Sequence, residues 1–179
     1  MAATRIRAGV VLTPRELNAV SGAVPVPYPE RTVHLQFRRY ANCPICSLHL
    51  RSFAARHEQI SAAGVHEVVV FHSTAEDIAK YKAGLPFDVV PDPKRTLYID
   101  FGVERSVRAV LHPSSWLATL RGWSPPLGVR AGVGGHLGLP ADFLIGPDGR
   151  VLAAKYGTHA NDQWSVDDVL TLVRATRAT

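Results

Sequence analysis

Two thiols, Cys43 and Cys46, are separated only by Pro44 and Ile45. A thiol at the start of a helix faces unpaired backbone amides and the positive end of the helix dipole, and both favour thiolate. A second thiol one turn on can close a small disulfide ring. One thiolate attacks a substrate, a mixed disulfide forms, and the other thiol resolves it. In this reading Cys43 attacks, Cys46 resolves, and Arg38 and Arg39 just upstream add positive potential. The pair has two other possible uses. Cys43, Cys46 and His49, with His72 or His136, could hold a metal, but the second ligand pair that usually accompanies Cys-x-x-Cys is missing, so no metal is expected. The thiols could also be small buried hydrophobes, a use that leaves their placement unexplained.

The elements that must position such a pair are legible around it. Thr32-Val-His-Leu-Gln-Phe37 alternates and is rich in β-branched and aromatic residues, which predicts a strand. Asn42 is a candidate N-cap, Pro44 suits a first helical turn, and Cys46, Leu50, Phe53, His57 and Ile60 share a helical face that Gly64 ends. Glu67–Phe71 reads as a buried strand, and Ser73-Thr-Ala-Glu76 as a capping box opening a helix to about Lys82. Residues 84–93 read as extended and turn-rich, and Lys94–Phe101 as a short helix ended by Gly102. Ala141–Gly146 and Arg150–Tyr156 flank a Pro-Asp-Gly turn as a hairpin. A last amphipathic helix, capped by Asp162 or Ser165, presents Val166, Val169, Leu170 and Val173.

This order, with Cys-x-x-Cys where the first core strand meets its helix, predicts an α/β thioredoxin-like fold, a central mixed sheet flanked by helices. One domain is expected over residues 1–179, with 1–31 as a Pro- and Gly-rich lead-in holding at most a short helix and a loose hairpin. Residues 103–139 are expected to be an inserted irregular connection. Pro140, directly before a core strand, is expected to follow a cis peptide bond beside the thiols, leaving the backbone of Leu139 free to pair with a bound chain. Tyr40, Leu139 and Pro140 are therefore the expected substrate contacts, and His34 and His49 could lie near the pair.

Composition narrows the function classes. Among 179 residues, 46% are hydrophobic and 20% charged, the balance of an ordinary soluble globular domain. The net charge of +5 comes from basic residues spread along the chain, so no nucleic-acid partner is expected. Two cysteines are too few for a disulfide scaffold or a four-thiolate zinc site. The short apolar stretch after Arg7 is not that of a signal peptide and no run reaches bilayer length, so a cytoplasmic location without membrane association is expected. The glycines at 132–138 lead into a strand and not a helix, which argues against a phosphate cradle, and no hydrolase elbow, zinc-protease or Walker motif is present.

The stretches His34–Arg51, Val68–Thr74 and Leu139–Gly149 resemble the peroxiredoxin-like branch of the alkyl hydroperoxide reductase/thiol-specific antioxidant superfamily, including relatives such as the prostamide/prostaglandin F synthases that share a Cys-x-x-Cys at this place. The resemblance implies a thioredoxin fold, no metal or other cofactor, and thiol-based redox activity of antioxidant type. Peroxidatic sites of the superfamily carry Pro-x-x-x-Thr/Ser-x-x-Cys and an Arg before the late strand. Aligned on that motif the reactive Cys is Cys46, while Cys43 replaces the Thr, Arg39 the Pro and Pro140 the Arg. The missing groups favour a thiol–disulfide oxidoreductase over a weak two-Cys peroxidase with Cys46 peroxidatic. The expected partners are a protein or small-molecule thiol or disulfide and a cellular thiol reductant. A redox-inert binding module using residues 121–139 with Trp116 and Trp123 is the alternative from another class.

Overall fold

The computed structural model describes residues 4–82, 84–103 and 139–177. The connection expected over 103–139, with Trp116, Trp123 and His136, lies outside the described residues except for Val103 and Leu139.

The chain opens with a hairpin, β1 (Arg15–Ala19) and β2 (Gly22–Val26), paired antiparallel. It is more than a lead-in, because Leu17, Val24 and Val26 are buried in the main core. The central strand β3 (Thr32–Arg38) is followed by α1 (Pro44–Ala55), α2 (His57–Ala62), β4 (Val65–Phe71), α3 (Ala75–Lys82), β5 (Asp88–Pro91) and α4 (Thr96–Asp100). After the undescribed segment come β6 (Ala141–Ile145), β7 (Val151–Tyr156) and α5 (Val166–Arg177). Five strands form one mixed sheet in the order β5-β4-β3-β6-β7, with β3, β4 and β5 mutually parallel and β6 and β7 antiparallel to their neighbours. The segment read as merely extended before Pro93 thus supplies an edge strand.

Strand alternation ordinarily marks one buried and one wet face. In β3 every residue is buried. Val33, Leu35 and Phe37 join Val68, Val70, Phe143 and Ile145 on one face, under Tyr98, Phe101 and the β1–β2 hairpin. The other face meets the remaining helices through Leu144, Phe53, Ile60, Val169 and Leu170 and through a cluster that holds both cysteines with Tyr40, Val69, Phe71 and Ile78.

Several local expectations shift by one residue. The N-cap of α1 is Cys43, not Asn42, and α1 breaks at Arg56, so the expected single helix becomes two. The hydroxyl capping α3 is that of Thr74, which accepts from Asp77 N–H at 3.2 Å, whereas Ser73 Oγ accepts from Ala41 N–H at 3.0 Å and ties the cysteine loop to the end of β4. Ser165 caps α5 as expected: its Oγ accepts from Asp168 N–H at 3.2 Å, and Asp168 Oδ2 accepts in return from Ser165 N–H at 2.8 Å.

Candidate active site

The end of β3 delivers the cysteines. Tyr98 of α4 donates its hydroxyl to the carbonyls of Arg38 and, at 2.9 Å, of Val70, pinning the last residue of β3 against β4. Asp92 in turn holds α4, its carboxylate accepting the amides of Thr96, Leu97 and Tyr98 at 2.8–3.3 Å. The chain then turns, Cys43 N–H donating to Tyr40 C=O at 3.0 Å, and α1 starts, Ser47 N–H donating to Cys43 C=O at 2.9 Å. Pro44 lies in the first turn, where its missing N–H costs no hydrogen bond.

Both thiols are free and buried, Cys43 at 0% and Cys46 at 1% exposure. Their electrostatic surroundings differ. Burial, reinforced by the hydrogen bond and charge of Cys46, pushes the Cys43 thiol well above its ordinary pKa. Burial also opposes ionisation of Cys46. It is outweighed by the hydrogen bond from Cys43, the Arg39 charge, the Arg39 backbone amide and Lys82, which together bring Cys46 down to about 6. The negative charge of the pair therefore rests on Cys46, with Cys43 as the protonated donor. Arg39 Nη1 stands 4.0 Å from Cys43 Sγ, and its guanidinium lies 5.4 Å from the centre of the Tyr40 ring.

Of the expected substrate contacts, Tyr40 packs in the same cluster as the cysteines. Its phenol is raised by burial and by the neighbouring thiols, so it stays protonated. Leu139 and Pro140 enter β6, whose Ala141 pairs with Phe37, so they reach the sheet end where β3 leads into the cysteine loop. Both are buried. Among the described residues the cis peptide bond is Val26–Pro27, so the Leu139–Pro140 bond is trans, contrary to expectation. Pro140 instead extends the β6–β7 pairing: its carbonyl accepts from Gly157 N–H at 2.9 Å, and a Cβ at Gly157 would stand only 2.7 Å from Pro140 Cγ.

Among the described residues no cluster of His, Cys, Asp and Glu could hold a metal. His49 does not turn toward a thiol; its Nε2 lies 3.0 Å from Arg38 Nη2. An open cleft of about 340 Å³, lined by Arg31, His57, His66, Glu67 and Asp88 among others, lies at the start of β4, away from the cysteine end of the sheet.

Behind the cysteine loop the even-numbered residues of β3 form a buried polar ladder that sequence reading missed. Arg38 donates from Nη2 to Asp142 Oδ1 at 2.6 Å and to Gln36 Oε1 at 2.7 Å, and from Nη1 to Phe37 C=O at 3.1 Å. His34 Nε2 meets the same Asp142 oxygen at 3.1 Å, Asp142 Oδ2 accepts Trp164 N–H at 3.3 Å, and Gln36 Nε2 donates to Glu67 at 3.3 Å. Asp142, against its burial, is held well below the usual carboxylate range by Arg38 and His34. Burial alone would depress His34, but Asp142 and Glu67 raise it. The sign of the consequence follows: a histidine raised on folding contributes stability that is complete below the unfolded value of about 6.5 and is lost as pH rises through the higher folded value. The difference in urea midpoint between the wild type and His34→Gln isolates this contribution and is expected to shrink as pH rises above the unfolded histidine value.

A family model for the AhpC/TSA antioxidant enzyme matches residues 52–159, more than half of the chain. The chain belongs to this family. Its members' shared chemistry makes it an oxidoreductase of peroxide or thiol substrates, as the resemblance implied. The matched region begins after Cys46, so the roles of the two cysteines rest on the geometry above. No curated protein matches the sequence. Solved structures with the same fold include the peroxidoxin BcpB of Mycobacterium tuberculosis, at TM-score 0.70 and 19% identity, covering 96% of this chain and 98% of that one. A mutant of Xylella fastidiosa PrxQ is similar at TM-score 0.68 and 16% identity, with 98% of each chain covered. A yeast mitochondrial 1-Cys peroxiredoxin, studied for thiol resolution through glutathione and thioredoxin systems, matches at TM-score 0.68 and 12% identity, covering 97% of this chain and 78% of that one. These likenesses place the AhpC/TSA member in the thioredoxin-like fold expected from its element order. Among its described residues no helix is long and apolar enough to cross a membrane.

Proposed function

We propose that this AhpC/TSA member is a two-cysteine thiol peroxidase that cycles through a Cys43–Cys46 disulfide, with Cys46 as the peroxide-attacking thiolate. The observation that carries the reading is the convergence of Cys43, Arg39 and Lys82 on Cys46, which lowers it to about 6 and leaves it ionised at neutral pH. Thiolate, not thiol, is the nucleophile. The Cys46 sulfur takes one peroxide oxygen as the O–O bond breaks, the leaving alkoxide or hydroxide gains a proton, and a sulfenic acid remains. Cys43, one helical turn away and still protonated, then forms the S–S bond and releases water. A cellular dithiol or thiol of thioredoxin or glutathione type returns both thiols by exchange. The Arg that the superfamily places before the late strand is Pro140 here, and Arg39 supports the reading by bringing a guanidinium to the thiols from the other side. Since both sulfurs are buried, exchange with a protein reductant requires the first turn of α1 to open. The proposed setting is cytoplasmic, where such reductants are abundant.

A specific observation also favours exchange with a disulfide substrate in which Cys43 attacks: Cys43 is the N-cap of α1, the residue of the pair nearer the loop. The deciding experiment adds one equivalent of hydrogen peroxide or cumene hydroperoxide to reduced protein and counts thiols. The titre is expected to fall from two to zero, to return with dithiothreitol, and to support continuous peroxide consumption when dithiothreitol is in excess. A peroxide-insensitive titre with active exchange against a disulfide substrate would replace this reading by the Cys43 one. Insensitivity to both would leave a binding module.

A further inference from the structure

Lys82, in the last turn of α3, is only 8% exposed. Its ammonium donates to Ser47 Oγ at 2.5 Å and sits 5.8 Å from the centre of the Phe71 ring. Ser47 is itself fixed, its hydroxyl donating to Cys43 C=O at 2.9 Å. Among the described residues no carboxylate pairs with Lys82. The ionisable groups that face it are Cys43, Cys46 and Arg51, all from the α1 side, with Arg39 also close to the thiols. A buried cation without a counter-ion is costly, and such a group pairs or gives up its charge. Of the groups whose charge acts on Lys82, the two thiols are those that can become anions.

We propose that Lys82 is the redox-linked counter-cation of the cysteine pair, a positioning residue locked by Ser47 and Phe71 whose charge the Cys46 thiolate balances in the reduced protein and nothing balances in the disulfide form. The inference rests on the reading that Cys43 and Cys46 cycle between these two states. Reduction by dithiothreitol, taken as the probe, is then written as disulfide plus dithiol giving Cys43–SH, Cys46–S⁻, cyclic dithiothreitol disulfide and one proton. The S–S bond of the protein breaks, that of the probe forms, and two electrons pass from probe to protein. The ammonium stabilises the product side and destabilises the starting side, so it makes the disulfide easier to reduce.

The test needs no peroxide. In redox buffers of reduced and oxidised dithiothreitol at pH 7, Lys82→Met is expected to lower the equilibrium constant for reduction about tenfold. In a Cys43→Ser background, thiolate absorbance at 240 nm followed against pH should move upward in Lys82→Met, with severalfold less thiolate at pH 6.5, and Lys82→Arg should restore both quantities. Unchanged values in Lys82→Met overturn the proposal. If that variant does not fold, Ser47→Ala carries the test: smaller shifts in the same directions support the lock, and no shift overturns it. A wild type that forms the disulfide with oxidised dithiothreitol but not with peroxide would overturn the peroxidase reading while leaving this one standing.

Discussion

Cys46→Ser is expected to abolish peroxide-driven oxidation, whereas Cys43→Ser is expected to keep the first oxidation and lose the disulfide. With Cys46 at about 6, most of it is thiolate at pH 7. Cys43, raised by burial and by its neighbour, is nearly all thiol. Replacing Cys46 leaves Cys43 as the only thiol. Burial, the larger cause, still holds its pKa above the ordinary thiol value, so its thiolate fraction at pH 7 is at most a few per cent. On that basis alone the alkylation rate with iodoacetamide at pH 7 should fall at least about 30-fold, and peroxide consumption by more, because the positive groups are aimed at the missing sulfur. In Cys43→Ser the serine hydroxyl can still donate to the Cys46 thiolate, so rapid alkylation should persist while a sulfenic acid accumulates and can be trapped with dimedone. Mass spectrometry after one equivalent of peroxide reads both results. The opposite pattern, a trapped adduct on Cys43 in Cys46→Ser and an inert Cys43→Ser, would return the attacking role to Cys43.

The second large effect concerns stability. Asp142 is buried with its Oδ1 shared by Arg38 at 2.6 Å and His34 at 3.1 Å. Asp142→Ala leaves the Arg38 guanidinium in the sheet–helix interface without its main anion, and breaking a buried pair in this way costs about 3–5 kcal/mol. Much of a typical domain's margin would go. Asp142→Asn retains hydrogen-bond acceptance without the charge and should lose less. Arg38→Met combined with Asp142→Leu should recover much of the loss, because an apolar pair leaves no stranded charge. Urea unfolding of the three variants measures this, and equal midpoints for Asp142→Ala and the double variant would show that the pair carries no such penalty. Because Arg38 precedes Arg39 at the end of β3, the Asp142→Ala variant is also expected to react more slowly with peroxide even where it is folded.

How far these features were legible differs between backbone and side chains. The alternation at Thr32–Phe37, the apolar run ending at Phe71, the Pro-Asp-Gly hairpin turn and the Ser165 cap each carry a local signal, since strand alternation, turn dihedrals and helix capping are set by neighbours in sequence. β5 was missed because four residues between turns show too little periodicity to distinguish a strand from an extended loop. The capping hydroxyl was displaced from Ser73 to Thr74 because Ser73 is taken by Ala41, a contact across 32 positions that local pattern does not contain.

The cysteine pair shows the same division within one site. Its spacing and its place at the junction of strand and helix were enough to locate the chemistry, because a disulfide between nearby residues needs only local geometry. Which sulfur holds the charge was not contained there. The helix terminus alone points to Cys43, yet Arg39, its backbone amide and Lys82, the last brought in from the end of α3, converge on Cys46. The His34–Arg38–Asp142 ladder stayed hidden for a related reason: an alternating strand reads as half exposed until packing covers its second face. By itself, then, the sequence determined the order of the elements and the residues able to do redox chemistry. Tertiary structure alone decided where the negative charge sits and what compensates it, because electrostatic energy depends on distance and burial in space and not on separation along the chain.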